Sequence, residues 1–392
     1  PLFVLAEIAL AQENIESFAW VVGEMEQRSP EAEILPVWRK ELEALRLRSE
    51  PAYSGSGALA RRRLKTVRAA VQRRDHCAPC TIELVLRYWN SAAADDNDYI
   101  AQAVKYSAGG APIYRMREFF HLVGFQTIRC VAGVSQLKAL VDAGYPAIVQ
   151  EQYSESSHVS VVIGYDEELE SVELQDPMTH IIRVVSWAEL EKLRAYSGES
   201  ALIALPRGQH HAQALARIGV MEAPALASLD QCSLAIDEGQ LERAAQLAVR
   251  VTQRYPELGI AWTLRMRIVA EQLLRWRMEK NMPAEYQLAF AKKDINRLRA
   301  EFRAILKEAA EHLPQAGFVF AFEGESAYWE MDLDAALKAY QRALQLDSKD
   351  PGIYASLAAC YYAVGDMRKA GEMARSGLKL NPAHAGANAW MA

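Results

Sequence analysis

Cysteine is scarce in this chain. Five occur among 392 residues, at 77, 80, 130, 232 and 360. An odd, scattered set of that size does not build a secreted disulfide framework and fits a reduced, cytoplasmic setting. Long apolar runs are missing as well, and without roughly 20 consecutive apolar residues no membrane span is expected. There is no excess of positive charge. A net charge of −6 gives no reason to expect nucleic acid or an anionic membrane as a partner. The first residue is proline in place of methionine, which reads as a processed or excerpted sequence. What remains is ordinary for a soluble globular protein: 51% hydrophobic and 24% charged residues, over a length sufficient for two or three domains.

Internal repetition organises both ends. Four 18-residue segments align without gaps: ENIESFAWVVGEMEQRSP (13–30), GQLERAAQLAVRVTQRYP (239–256), MDLDAALKAYQRALQLDS (331–348) and GDMRKAGEMARSGLKLNP (365–382). Their sixth places hold Phe18, Ala244, Ala336 and Ala370. A small side chain there lets two helices approach closely, and a terminal Pro stops the second helix. The last two copies lie 34 residues apart (365 − 331). The pattern resembles the tetratricopeptide repeat, a helix–turn–helix unit of that period. The resemblance implies helices over 1–48 and repeats over 225–392, one of them elongated (259–316). Both chain ends cut into the pattern, as expected of an excerpt from a longer array.

Between the repeats the grammar changes. Residues 49–62 cluster Pro, Gly and Ser and read as a linker. Seven cations and no acid fall in 51–74, the composition of a solvated linker and strand edge. The pattern changes from residue 77, and CTIELVLRYW (80–89) predicts a helix with its apolar face at Ile82, Leu84, Val85, Tyr88 and Trp89. Two more helices follow, then β-rich runs at 127–132, 145–153, 158–165, 171–176, 181–187 and 200–206. Helices first and strands afterwards predict an α+β domain over 63–208, with 209–224 as a connector.

The stretch DHCAPC (75–80) opens that domain and admits three chemistries. Cys-x-Pro-Cys at a helix start resembles the thioredoxin redox motif, but the preceding QRRDH is unfit for the buried strand that motif follows. A zinc site needs two further Cys or His ligands, and the only paired histidines, His210 and His211, read as solvated connector residues. A nucleophile at the helix N-terminus feels the positive end of the helix dipole, which favours a thiolate. It needs a base, and the base needs an orienting group. The chain supplies His158 in HVSVVIGYD and Asp176 in LQDP, on strands that can neighbour one another.

QRRDHCAP, HVSVVIGYDEE and VELQDP together resemble the bacteriocin-processing (double-glycine) cysteine peptidases and their papain-like relatives. The likeness spans 66–206 and includes APIYRMREFFHLVGF and LKALVDAGYPAIV. It implies a papain-like α+β peptidase domain flanked by all-α repeat segments, with Cys77 as nucleophile, His158 as general base and acid, and Asp176 orienting His158. It also implies Gln72 as an oxyanion donor beside the Cys77 amide, although Gln72 stands five residues before Cys77, where relatives have six. Cys80 occupies a place where relatives carry a small apolar residue, and packing is its expected role. Glu151 or Glu155, near His158, could meet substrate. The acidic runs 95–98 and 166–173 read as solvated turns.

The expected activity is hydrolysis of a peptide or protein substrate without a cofactor, with a protein partner or the substrate recruited by the repeats. Acyl transfer by the same residues, and a catalytically idle peptide-binding scaffold, are the alternatives.

Overall fold

A computed structural model describes residues 15–31, 61–67, 76–104, 111–154, 157–177, 182–280 and 295–380, with isolated positions between 2 and 42 and the short segment 385–389. The region before residue 49 contains α1 (Ile15–Arg28). Its Phe18, Val21, Val22 and Met25 pack with Leu35, Trp38 and Leu42. Phe18, which replaces the usual small residue of the repeat, is fully buried, its ring edge-on to Trp38 at 6.1 Å. An aromatic partner thus fills the space that close helix approach would otherwise close.

A mixed region follows: β1 (Arg61–Arg63), α2 (Cys77–Tyr88), α3 (Asn97–Val104), α4 (Ile113–Leu122), β2 (Phe125–Val131), α5 (Val134–Asp142), β3 (Ala147–Gln152), β4 (Ser157–Asp166), β5 (Ser171–Gln175), β6 (Ile182–Ser186), α6 (Trp187–Arg194) and β7 (Ser200–Pro206). The sheet is antiparallel in the order β2-β7-β3-β4-β5-β6. Strand β1 pairs with β4 at residues 164–166, beyond Val162, which faces the first residue of β3. It therefore begins inside the stretch expected to be linker. Its cations are not simply solvated: Arg63 forks onto the buried Glu173, with Nη2 donating to Oε1 at 2.9 Å. The acidic run 166–173 is likewise not a wholly solvated turn. Asp166 is buried and accepts from the amides of Glu168 and Leu169 at 3.0 Å each.

Gly164 makes this crossing possible. A Cβ there would stand 2.6 Å from Glu173 Oε2 and 2.7 Å from the Arg62 carbonyl, and the β4–β5 register shifts at this point. Gly164→Ala is expected to displace β1 and cost about 1–3 kcal/mol, the range for overpacking, read as a lowered melting temperature. An unchanged melting temperature would mean that β1 yields without cost.

Helix α2 is more deeply set than a one-sided amphipathic helix. All nine residues from Ala78 to Leu86 are buried, including Thr81 and Glu83. Glu83 is satisfied by Arg87 and Asn97, each at 2.8 Å, so its burial carries no orphan charge.

The rest is helical: α7 (Gln209–Arg217), α8 (Pro224–Asp237), α9 (Leu241–Arg254), α10 (Gly259–Lys280), α11 (Ile295–His312), α12 (Gly317–Trp329), α13 (Leu333–Leu346), α14 (Pro351–Ala363), α15 (Met367–Leu380) and α16 (Ala385–Ala389). Pro224 and Pro351 start α8 and α14, while Asp332 and Asp350 cap α13 and α14 by accepting amides at 3.0 and 2.8 Å. Ala244, Ala336 and Ala370 are buried where helices approach. At about 1.5 Å per residue, the 22 residues of α10 outreach the 13–14 of α12 to α15 by roughly two turns. Part of the lengthening of the repeat lies there, and the 18 residues of α11 add roughly one turn more.

The two regions pack together. Leu215 and Val220, from the expected connector, join the core of the sheet region. His211 is not a solvated connector residue: its Nδ1 lies 3.0 Å from the Tyr145 hydroxyl and its ring 5.7 Å from that of Trp89. The start of α12, just past the elongated repeat, meets the turn after α6, where Tyr196 stacks edge-on with Phe318 at 5.7 Å.

Candidate active site

Cys77 is the first residue of α2, and the residue before it offers no side-chain cap. The first i→i−4 bond of the helix runs from the Cys80 amide to the His76 carbonyl at 3.0 Å. The amides of Cys77 and Ala78 precede that bond, and Pro79 has no amide hydrogen to offer. Donor capacity at this end is therefore concentrated around the thiol, which is itself partly exposed. One turn on, Thr81 Oγ donates to the Val159 carbonyl at 3.2 Å and ties α2 to β4 beside His158.

His158 lies near the start of β4 and is 7% exposed. Its Nε2 is 2.8 Å from Asp176 Oδ1, and the Cys77 side chain is close enough to the ring to act on its charge. Register explains the meeting. Val161 faces Gln175 and Val162 faces Leu174 across β4–β5. One further step along the same ladder sets Asp176 opposite Ser160, diagonal to His158 and on its face of the sheet. Burial pushes the imidazole pKa down, but Asp176 and Cys77 outweigh that and hold it well above the ordinary histidine value. The imidazolium is the favoured form. Cys77, His158 and Asp176 are thus brought together in the order thiol, imidazole, carboxylate. Gln72 lies outside the described residues, as does Glu155.

The remaining cysteines differ. Cys80, Cys130, Cys232 and Cys360 are fully buried. Burial raises the thiol of Cys130 to about 12 and that of Cys232 to about 11. No disulfide joins Cys80 to Cys77.

Glu151, expected to be open to substrate, is closed off from solvent. It is fully buried opposite His158, where Oε1 accepts from Ser160 Oγ at 2.9 Å and Oε2 from the Tyr153 hydroxyl at 3.0 Å. Its charge is met by Arg183. Arg183 and Tyr153 were not singled out from sequence. Strand parity relative to His158 would have found Arg183, but only with the strand pairing in hand.

Residues 64–200 match the model of the Peptidase_C39 like family, and residues 332–365 match that of the TPR repeat. The chain carries a Peptidase_C39-like domain. Among solved structures, the peptidase domain of Streptococcus ComA, a bifunctional ABC transporter of a quorum-sensing pathway, is similar at 21% identity, covering 36% of this chain and 98% of that one with a TM-score of 0.31. A double glycine motif protease from an AMS/PCAT transporter, in complex with the leader peptide, is similar at 17% identity, covering 37% and 94% with a TM-score of 0.30. The mitochondrial import receptor subunit TOM70 of Saccharomyces cerevisiae is 36% identical over 73 residues, 19% of this chain and 12% of the receptor's length. No helix among the described residues is long and apolar enough to cross a membrane.

Proposed function

We propose that the chain is a cysteine peptidase acting on a peptide or protein substrate, with Cys77, His158 and Asp176 as its catalytic set and the repeats as a recruiting surface. The observation that carries this reading is the His158 ring, held by Asp176 Oδ1 on one side and with the Cys77 side chain close enough on the other to raise its pKa. Cys77 Sγ attacks the scissile carbonyl carbon, and the oxyanion is met by the Cys77 amide, with Gln72 as the side-chain donor. The His158 imidazolium gives its proton to the leaving amine as the C–N bond breaks. A thioester on Cys77 remains. His158, now neutral, takes a proton from water as the water oxygen attacks the thioester, and the carboxylic acid leaves as the C–S bond breaks and the Cys77 thiolate and His158 imidazolium are regenerated. Asp176 holds the imidazole in the orientation both steps need.

The repeats bear on the same region. Asp347, at the end of α13, accepts from the Ser154 amide and hydroxyl at 2.9 and 3.1 Å, on the β3–β4 connection that leads into His158. A substrate held on the repeats is therefore held near the site, and tethering can supply about millimolar effective concentration.

Labelling the full chain with a chloromethyl ketone probe and mapping adducts by mass spectrometry tests the reading. The expected result is one adduct on Cys77, none at the four buried thiols, and loss of labelling in Cys77→Ala. Equal labelling of Cys77 and Cys80, or a native disulfide between them, would replace this reading with a redox one.

A further inference from the structure

The charged network behind Asp176 has no part in the chemistry above. Cross-strand partners share a face of a sheet, as do residues two apart on a strand. Glu151 pairs with His158, Val162 with Leu174, and Leu174 with Arg183. Parity therefore places Glu151, His158, Leu174 and Arg183 on one face, and Asp176, two beyond Leu174, follows them. The side chains use that placement. Arg183 Nη2 pairs with Glu151 Oε1, and Nη1 lies 3.4 Å from Asp176 Oδ2, while Oδ1 of the same carboxylate takes His158 Nε2 at 2.8 Å.

We propose that Arg183 is a positioning residue for the Cys77–His158 pair, clamping Asp176 from behind, with Glu151 as the fixed counter-charge that holds the guanidinium in place. This rests on the peptidase reading. A carboxylate tied through one oxygen still turns about its last torsion, and the imidazole bonded to it turns with it. A cation on the second oxygen removes that freedom. Two carboxylates must be gripped at once, which the planar guanidinium fork does and a point-charge ammonium does not. Glu151 is itself immobilised by Ser160 and Tyr153. The anchor is therefore rigid, as a positioning shell must be.

The arrangement also sets the charge balance at His158. Among the described residues, the groups facing the ring and its carboxylate are Cys77 from α2, Glu151 and Tyr153 from the β3 side, Asp176 after β5 and Arg183 from β6. The Arg183 cation opposes an imidazolium and the Glu151 anion favours it. Removing one or the other must move the ring's titration in opposite directions, which a merely structural residue would not do.

The test uses the full chain with Arg183→Gln, Arg183→Lys, Glu151→Gln and the double variant Arg183→Gln/Glu151→Gln. Two readouts are followed against pH: the histidine ring titration by NMR on carbon-13 histidine-labelled protein, with the His158 signal assigned through His158→Gln, and the rate of Cys77 alkylation by chloroacetamide. Arg183→Gln is expected to raise the pH at which His158 deprotonates by about one unit, and Glu151→Gln to lower it by about as much, the scale of a nearby charge. Arg183→Lys should leave the titration in place yet slow alkylation roughly three- to tenfold, because charge survives and the fork does not. In the double variant, which keeps the site polar and neutral, the shifts should cancel while alkylation stays slow. Titrations and alkylation rates that match the parent in all four variants would overturn the proposal, as would lowered melting temperatures with neither readout moved. Failure of the peptidase reading looks different: Cys77 of the unaltered chain would alkylate no faster than a free thiol, whatever the titration does.

Discussion

Replacing His158 with Ala is expected to lower kcat/KM for a cleaved peptide by about 10⁴-fold or more, the loss typical when one member of a unit-acting catalytic set is removed. Cys77→Ala should leave no measurable turnover, and Asp176→Asn should fall between these variants and the parent. The His158 effect is expected to be large because the proposed mechanism gives the ring two tasks, stabilising the thiolate and delivering a proton to the leaving amine. It also has a signature in stability. The folded-state pKa of His158 lies well above its unfolded value of 6.5: burial opposes the charge, but Asp176 and Cys77 outweigh it. A group raised on folding contributes stability that is fully present below its unfolded pKa and lost as pH rises through the folded pKa. The parent should therefore lose stability relative to His158→Gln as pH climbs from below about 6.5 through the folded pKa. Denaturant midpoints of the two proteins across that range check this. A stability difference independent of pH would mean that the ring is not held as an imidazolium.

Much of this molecule was legible in its sequence, for reasons visible in particular residues. Strand and helix positions followed from periodicity: the expected strand 158–165 is β4 with one residue added at each end, and the helix beginning at Cys77 is α2. The repeats after the sheet region announced themselves through Ala244, Ala336 and Ala370, because close helix approach favours a small side chain there. Contacts that depend on pairing were not legible. Arg183 looks like any charged residue on a half-buried strand until β6 is laid against β5. His211 looked like a loop histidine until Trp89 and Tyr145 were placed around it. The short strand β1 was hidden because RRR carries no apolar alternation. It is held by backbone pairing to β4 and by Glu173, not by burial of its own side chains.

Arg129→Met is expected to destabilise the chain by about 3 kcal/mol, the low end of the cost of removing one partner of a buried ion pair, because Arg117 still meets Asp230. Arg129 lies in β2 and is 3% exposed. It crosses to the first repeat after the sheet region, pairing with Asp230 and donating to the Leu226 carbonyl at 3.1 Å. Its backbone is tied as well, with the Ala223 amide donating to its carbonyl at 2.9 Å and its own amide donating to Glu222 at 3.0 Å. Arg117 meets Asp230 and Glu222 at 2.8 Å each, and Arg115 meets Asp237 at 2.8 Å. The pattern is one-sided, with cations from the sheet region and acids from 222–237. Burial works against the Arg129 charge and lowers its pKa even with Asp230 beside it. Removing the cation leaves Asp230 facing a desolvated apolar side chain, with Arg117 as its remaining partner. The double variant Arg129→Met/Asp230→Leu should recover most of the loss, because a buried pair replaced as a unit is often close to neutral. Guanidinium unfolding followed separately by tryptophan fluorescence and by circular dichroism reads both effects. In the parent the two probes should coincide, since the clasp makes the sheet region and the repeats unfold together. In Arg129→Met they should separate, with one region melting before the other. Coincident transitions at an unshifted midpoint would show that the apolar contacts around Leu215, Val220 and Tyr196 join the two regions without help from the charges.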